Sequence, residues 1–167
     1  IFEKVLFVGM DYKIPKGGIA SVLNTYSTFI HPFKFVRTAA GELNNVQKVW
    51  YAVSGYLLLI WKLFTDRKIE IVHIHSASGT SFWRKNYAIK IAKMMGKKVV
   101  FHCHGGGFKE FRLSNIKKVD AILAKVDCVV CLSGEWNNYF QSIGCRHIVT
   151  FKNVIREPNI ENVEKNG

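Results

Sequence analysis

Histidines stand at the carboxyl ends of two apolar runs, and imidazoles donate or accept hydrogen bonds and exchange protons near neutral pH. His102 and His104 end one run, and three glycines, 105–107, follow at once. His73 and His75 end the other run. Because side chains alternate along a strand, the two histidines of each run share one face. We predict that two parallel strands deliver these histidines to one site at the C-terminal edge of a sheet.

Two other roles are open to these histidines. Buried histidines commonly hydrogen bond to backbone groups in a core or at its rim. Imidazoles also bind zinc, but ligands one pleat apart on parallel strands form a flat array rather than a tetrahedron. No carboxylate next to these histidines would orient the rings. We therefore expect no metal site.

Glycines mark two loops where the backbone can approach a ligand. The first is the 105–107 loop, and the second is Lys16-Gly17-Gly18, ahead of a predicted helix whose free amides could hold a phosphate. The second loop is neither a G-x-G-x-x-G motif nor a Walker A motif. Nicotinamide cofactors and ATP hydrolysis are therefore disfavoured, and we expect no cofactor.

Alternating apolar runs predict a single α/β domain in these 167 residues. The fold class is a doubly wound, Rossmann-like parallel sheet in a three-layer α/β/α arrangement. Predicted strands cover 4–9, 35–38, 70–75, 98–104, 127–132 and 147–151. Predicted helices cover 18–30, 80–95, 114–124 and the segment from the cap Ser133 to 143. A further apolar stretch, 49–61, is too short to cross a bilayer and is either a buried helix or one that dips aromatic residues into a membrane surface.

Charge and cysteine content limit the possible binding partners and the cellular compartment of the protein. The net charge is +12, and residues 84–125 hold 11 Lys and Arg against two acidic residues. Such a segment attracts anionic partners or simply covers solvated helix faces. The cysteines lie mostly in apolar runs and the N-terminus has no signal-peptide pattern, so we expect reduced thiols and a cytoplasmic location. Cys128 and Cys131 form a C-x-x-C inside a strand-like run, which does not favour a redox role.

Taken together, these features resemble the N-terminal half of a GT-B glycosyltransferase, especially the retaining enzymes of glycosyltransferase family 4 in bacterial polysaccharide synthesis. The similar elements are the Lys16-Gly17-Gly18-Ile19 loop, the strand 71–75, the strand that ends at His104, Ser133 after the next strand, and Asn153-Val154. The resemblance covers residues 3–155.

The resemblance implies transfer of a sugar from a nucleotide-sugar donor to a lipid-linked or polysaccharide acceptor at the inner face of the cell membrane. His104 would be catalytic, and Gly17 and Gly18 would approach the donor phosphates. The acceptor side would comprise His75, His102, Gly105, Gly106 and Ser133. An anionic membrane surface is a further expected partner.

The same resemblance implies a division of labour between domains. Residues 1–155 would form the acceptor-binding domain and 156–167 the interdomain linker. The donor-binding domain, with its Glu-x7-Glu pair, would lie outside this chain, so we expect the isolated chain to be inactive.

Two other functions compete with the transferase. A non-catalytic, flavodoxin-like module could dock a membrane or a partner subunit. Nucleic-acid binding is less well supported, because aromatic residues are not interleaved with the basic ones as single-strand binders require.

Overall fold

The protein is a six-stranded parallel sheet with helices on both faces. The structure is a computed structural model and describes residues 1–14, 17–41 and 43–152. After a short 3-10 helix, Phe2–Lys4, the strands are β1 (Val5–Met10), β2 (Lys34–Ala39), β3 (Ile71–Ser76), β4 (Lys98–Cys103), β5 (Cys128–Cys131) and β6 (Ile148–Thr150). The helices are α1 (Gly18–Phe29), α2 (Asn45–Thr65), α3 (Thr80–Met94), α4 (Phe108–Leu113), α5 (Ile116–Leu123) and α6 (Gly134–Ser142).

The strand order is β2-β1-β3-β4-β5-β6, and every pairing is parallel. The chain crosses from β1 outward to β2, and then back over β1 to β3, from where each later strand pairs with the one before it. This reversal of direction is the defining feature of a doubly wound sheet. The predicted α/β fold class is confirmed.

One face of the sheet carries the main core. Strand residues such as Leu6, Ile74 and Phe101 are fully buried there, beneath α2, α3, α4, α5 and α6. The other face has a smaller apolar cluster in which Phe7 packs against Leu23 and Tyr26 of α1. Helices therefore flank the sheet on both sides, which gives the predicted three layers.

The predicted elements differ from the observed ones at two helices. Helix α4 follows the 105–107 glycines directly and buries Phe108 in the main core, whereas the sequence suggested no helix there. Six residues make fewer than two turns, so they leave no apolar period to recognise. Helix α2 extends beyond 49–61 at both ends, and its start is fixed by a capping box between Asn44 and Gln47.

Helix α2 packs on the sheet through a narrow line of residues. Gly55, Leu59 and Leu63 are its buried residues. A Cβ at position 55 would overlap the carbonyl oxygen of Arg37, so glycine permits a close approach to β2. Within the described ranges, no helix combines the length and apolar character needed to span a membrane.

Candidate functional site

Four histidines form a contiguous cluster on the α1 side of β3 and β4, which we call the histidine tetrad: His73, His75, His102 and His104. Their rings lie one against another, with the His102 and His104 centroids 4.1 Å apart. Two direct hydrogen bonds cross between the strands. One joins Nδ1 of His75 to Nε2 of His104 at 2.8 Å, and the other joins Nε2 of His73 to Nδ1 of His102 at 3.3 Å.

Strand register produces this tetrad. His75 stands opposite His102 in the β3–β4 pairing, and the backbone amide of His104 donates to the carbonyl of Ser76 at 2.8 Å. Since side chains two residues apart share a face, His73 and His104 fall on the same side as this pair. The prediction that two strands bring their histidines to one site is thus confirmed, and Cys103 lies on the opposite, main-core face.

Burial keeps the tetrad neutral. His75 and His102 have no exposed surface, and removal from water holds the pKa of each well below the ordinary value of 6.5. Burial, with the neighbouring His104 adding to it, lowers the pKa of His73 to about 3. Burial also lowers the pKa of His104 to about 4. At pH 7 each ring therefore carries one proton, so each hydrogen-bonded pair has one donor nitrogen and one acceptor nitrogen.

The buried end of the His75 ring decides the direction of its bond. Nε2 of His75 is buried and has no hydrogen-bond partner within the described chain. An orphaned buried N–H is costlier than an orphaned lone pair, so the proton belongs on Nδ1 of His75, which donates to Nε2 of His104. The proton of His104 then sits on its Nδ1. The tetrad thereby offers an N–H donor to a ligand.

The glycine loop after β4 fits closely against the loop after β3. A Cβ on Gly105 would lie 3.0 Å from the backbone nitrogen of Ser78, so a larger residue would require one of these loops to shift by a few tenths of an ångström. Gly106 is exposed and has open space where a Cβ would project, and Gly107 precedes α4 with an ordinary φ of −86°. The run does not turn through left-handed backbone, although its composition permits it.

Gly17, Gly18 and Ser133 lie on the same edge of the sheet but outside the tetrad. Gly17 precedes α1 with a φ of 97°, a conformation that favours glycine, and both glycines are exposed. Ser133 follows β5, and its hydroxyl accepts from the backbone amide of Trp136 at 3.4 Å, as the predicted helix cap. The loops after β1, β4 and β5 therefore surround one C-terminal edge.

Two polar clusters at this edge were not identified from the sequence. Tyr51 donates to the buried carboxylate of Asp11 at 2.8 Å, and the guanidinium of Arg37 lies 4.1 Å from the Tyr51 ring centre. Lys85 is buried and donates to the hydroxyl of Thr38, and burial lowers the pKa of Lys85 to about 7. Asp11 directly follows β1, which is the one sequence signal for the first cluster. The partners come from distant segments.

An apolar groove of about 490 Å³ opens beside the tetrad on the α1 side. His73 lies against the groove, and Tyr26 and Phe151, whose ring centres are 6.3 Å apart, are among the other residues that line it. The groove therefore joins the histidines to a surface suited to hydrocarbon.

Ligand nitrogens of His73, His75 and His102 lie within 4.8 Å of one another, which is the spacing of a potential metal site. The His73 and His75 rings, however, are stacked at 4.6 Å with an interplanar angle of 15°. A metal ion lies in the plane of each imidazole that binds it, so these two rings cannot share one ion as they stand. The absence of a metal site stays a prediction.

Comparison with known proteins matches most of this chain to one family model. The family model described as Glycosyltransferase Family 4 matches residues 26–156, more than half of the chain. The match includes β2 to β6 and the whole tetrad, while Gly17 and Gly18 precede it. No curated protein and no solved structure matches the chain. On the family match, this chain belongs to glycosyltransferase family 4.

Proposed function

We propose that this chain is the acceptor-binding half of a retaining glycosyltransferase that uses a nucleotide-sugar donor. In the reaction the bond from the anomeric carbon to the donor phosphate breaks, and a bond to an acceptor oxygen forms. The acceptor hydroxyl loses its proton, and the nucleotide departs. Family membership supports sugar transfer, and the histidine tetrad at the C-terminal edge of the sheet is the observation that carries the site assignment.

His104 is the proposed catalytic residue. Its neutral ring, held by His75, presents an Nδ1 donor that can hydrogen bond a sugar oxygen as charge develops. A fixed donor needs no reorganisation during the reaction. His75 and His102 position this ring, and Gly105 and Gly106 leave room for the acceptor.

The remaining predicted residues are assigned by their place on the edge. The exposed amides of Gly17 and Gly18 begin α1, where the helix dipole favours a donor phosphate. Ser133 is the outermost acceptor contact.

A lipid-linked acceptor is the form that the chain best accommodates. The exposed aromatic residues of α2 suit a membrane-held acceptor, and the net charge of +12 suits anionic head groups. The proposed location is the cytoplasmic face of the cell membrane, with peripheral attachment. Neither a cofactor nor nucleic acid takes part in this proposal.

The proposed domain organisation places donor binding elsewhere. Residues 1–155 form the acceptor domain and 156–167 the linker, a boundary that lies outside the described residues, as does Asn153-Val154. The donor domain with its Glu-x7-Glu pair would be encoded beyond the codon for Gly167. Sequencing the gene past that codon tests this organisation, and a stop within a few codons would contradict it.

Substitution of His104 in the full-length protein tests the catalytic assignment. We expect His104→Ala to lower kcat for nucleotide release by about 100-fold or more, the usual loss for one fixed donor to a developing charge. His147→Ala is the matched control, because this histidine is exposed and lies away from the tetrad. Equal rates for the two variants would exclude His104 from catalysis.

The stereochemistry of the product tests the retaining mechanism. NMR of the product should show the same anomeric configuration as the donor sugar. An inverted product would leave the family membership intact and refute the retaining mechanism.

A further inference from the structure

Helix α2 carries a continuous apolar stripe on its outer side. The residues recur three, four and seven positions apart, as the members of one helix face do. We call them the outer stripe: Val46, Val49, Trp50, Val53, Leu57, Ile60, Trp61 and Phe64, all exposed. At 1.5 Å per residue the stripe is roughly 27 Å long.

The outer stripe points away from the sheet. The sheet-facing residues Gly55, Leu59 and Leu63 lie on the opposite side of the helix. A helix packed on a domain surface ordinarily turns polar residues outward, whereas α2 is apolar on both sides. A patch of this length marks a surface that contacts something other than water.

The composition of α2 fits a bilayer surface. Trp50 and Trp61 stand near the two ends of the stripe, and tryptophan prefers the interface between hydrocarbon and head groups. Lys48 and Lys62 flank the apolar segment in the sequence, and both lie on the sheet side of the helix rather than on the outer stripe. An in-plane helix of this kind buries its apolar face at the boundary of the acyl chains.

Neighbouring charges select an anionic bilayer. Tyr56 of α2 contacts Tyr87 of α3, with 5.9 Å between ring centres, and the amine of Lys90 lies 5.8 Å from the Tyr87 ring. Lys90 is exposed on α3, close to the contact between α2 and α3. Two copies joined through their stripes would instead bring two chains of net charge +12 together.

The basic segment 84–125 offers fewer free cations to an anionic membrane than its composition suggests. Lys85 is buried, and four other basic residues in the segment pair with carboxylates: Lys93 and Lys98 with Asp127, Lys109 with Glu135, and Arg112 with Asp120. Five of the 11 basic residues of this segment are therefore buried or paired, which leaves fewer cations for an anionic surface.

We propose that α2 lies in the plane of an anionic membrane, with the outer stripe inserted, and presents the site edge to lipid-linked acceptors. The second part rests on the proposed function. Helix α2 follows the C-terminal end of β2, so it begins at the edge that carries the tetrad. The hydrogen bond from Tyr51 to Asp11 fastens this end of the helix to the loop after β1.

Co-sedimentation with vesicles tests the surface, using the full-length protein. The probes are vesicles of phosphatidylcholine alone and of equal phosphatidylcholine and phosphatidylglycerol. We expect preferential binding to the anionic vesicles that weakens with salt. Leu57→Asp/Phe64→Asp should weaken the partition by about tenfold or more, because two inserted side chains are lost.

A matched control separates insertion from general stickiness. Met94→Asp/Leu113→Asp changes two large, exposed apolar residues, 86% and 65% exposed against 72% and 62%, on other helices. This variant should bind vesicles like the wild type. Circular dichroism checks that both variants keep the fold.

Tryptophan fluorescence tests which residues enter the bilayer. Brominated phosphatidylcholine, mixed into the anionic vesicles, should quench the wild type, and Trp50→Phe/Trp61→Phe should abolish that quenching. Trp83 and Trp136 pack against the core and serve as the unquenched internal reference.

Several outcomes would overturn the proposal. One is absence of vesicle binding, and another is equal binding by the Asp variants and the wild type. A third is a stripe-dependent dimer in the absence of vesicles, which would assign the stripe to a second copy. The vesicle experiments need no donor sugar. If the wild type failed to transfer sugar to a water-soluble acceptor analogue, the proposed function would be refuted and membrane binding would be unaffected.

Discussion

The two faces of the sheet are built from different chemistry. The face beneath α2 to α6 is aliphatic and aromatic, and it holds most of the buried side chains. The face beside α1 holds Phe7, Tyr26 and the histidine tetrad. The same strands supply both faces. Because side chains alternate along each strand, residues of the main core and residues of the candidate site occupy alternate positions.

Strand β4 shows the division within six residues. Val99, Phe101 and Cys103 enter the main core, while Val100 and His102 point to the α1 side. A shift of one residue in the β3–β4 register would exchange these sets and bury the wrong face. The histidines are therefore held in place by the apolar residues between them.

Substitutions at adjacent positions of β4 give the largest expected contrast. Phe101→Ala should lower the free energy of unfolding by about 3–5 kcal/mol, because it leaves a cavity among fully buried rings. Val100→Ala should cost only about 1 kcal/mol, because Val100 is half-buried. Urea unfolding measures both, and similar costs would mean that the two faces contribute alike.

Lys85 is the charged residue buried on the main-core side within the described ranges, and its removal should stabilise that side. Burial lowers its pKa from 10.5 to about 7, so the fold resists its protonation. Lys85→Met should raise the free energy of unfolding by about 1–3 kcal/mol at pH 7. The hydroxyl of Thr38 keeps a partner, since it also donates to the carbonyl of Gly9.

Measuring the stabilisation by Lys85→Met at several pH values tests this explanation. The penalty for burying the amine is full below pH 7 and disappears as the pH rises toward 10.5, so the advantage of the methionine should shrink at pH 9. Exposed Lys90→Met is the control and should change stability by less than about 0.5 kcal/mol. A destabilised Lys85→Met would show that the amine contributes to the core.

The histidine face should respond to acid. Unfolded histidines titrate near 6.5, whereas burial sets the folded pKa of His73 at about 3 and of His104 at about 4. Between pH 6.5 and 4 the unfolded chain binds protons that the folded chain does not. The free energy of unfolding therefore decreases as the pH is lowered from 6.5 to 4, by up to about 1.4 kcal/mol per pH unit for each histidine.

A double substitution isolates this effect. His73→Phe/His102→Leu removes both partners of one hydrogen bond, so it leaves no new orphan and should change stability at pH 7 by less than about 1 kcal/mol. It should flatten the loss of stability between pH 6.5 and 4. An unchanged pH slope would assign the acid sensitivity elsewhere.

Strand and helix order could be predicted because each element carries its own pattern. All six strands and the helices now labelled α1, α3, α5 and α6 fall where alternation, apolar period and Gly or Ser caps indicated. Helix α4 was missed because six residues are too few for a period. The sequence left open whether 49–61 is core or interface, because α2 is apolar on both sides and only packing distinguishes them.

The site was predictable only as far as strand register reaches. Alternation placed His102 and His104 on one face, and the topology placed His75 beside them. The hydrogen bonds between rings, and the contacts of Asp11 with Tyr51 and of Lys85 with Thr38, join segments far apart in sequence. Local patterns contain no information about such distant pairs.

The strand order has a consequence for the speed and sequence of folding. Val5 of β1 pairs with Ile71, 66 residues later, whereas Ile71 pairs with Lys98, only 27 residues later. Closing the shorter loops costs less chain entropy, so β3 to β5 should form the nucleus, and β1, which pairs with β2 at a separation of 28 residues, should join β3 late together with β2. In stopped-flow kinetics Phe101→Ala should therefore slow folding, while Val8→Ala should mainly hasten unfolding; the reverse pattern would place the nucleus at β1. The histidine pairs would then assemble early, before the loop after β1 closes one side of their edge.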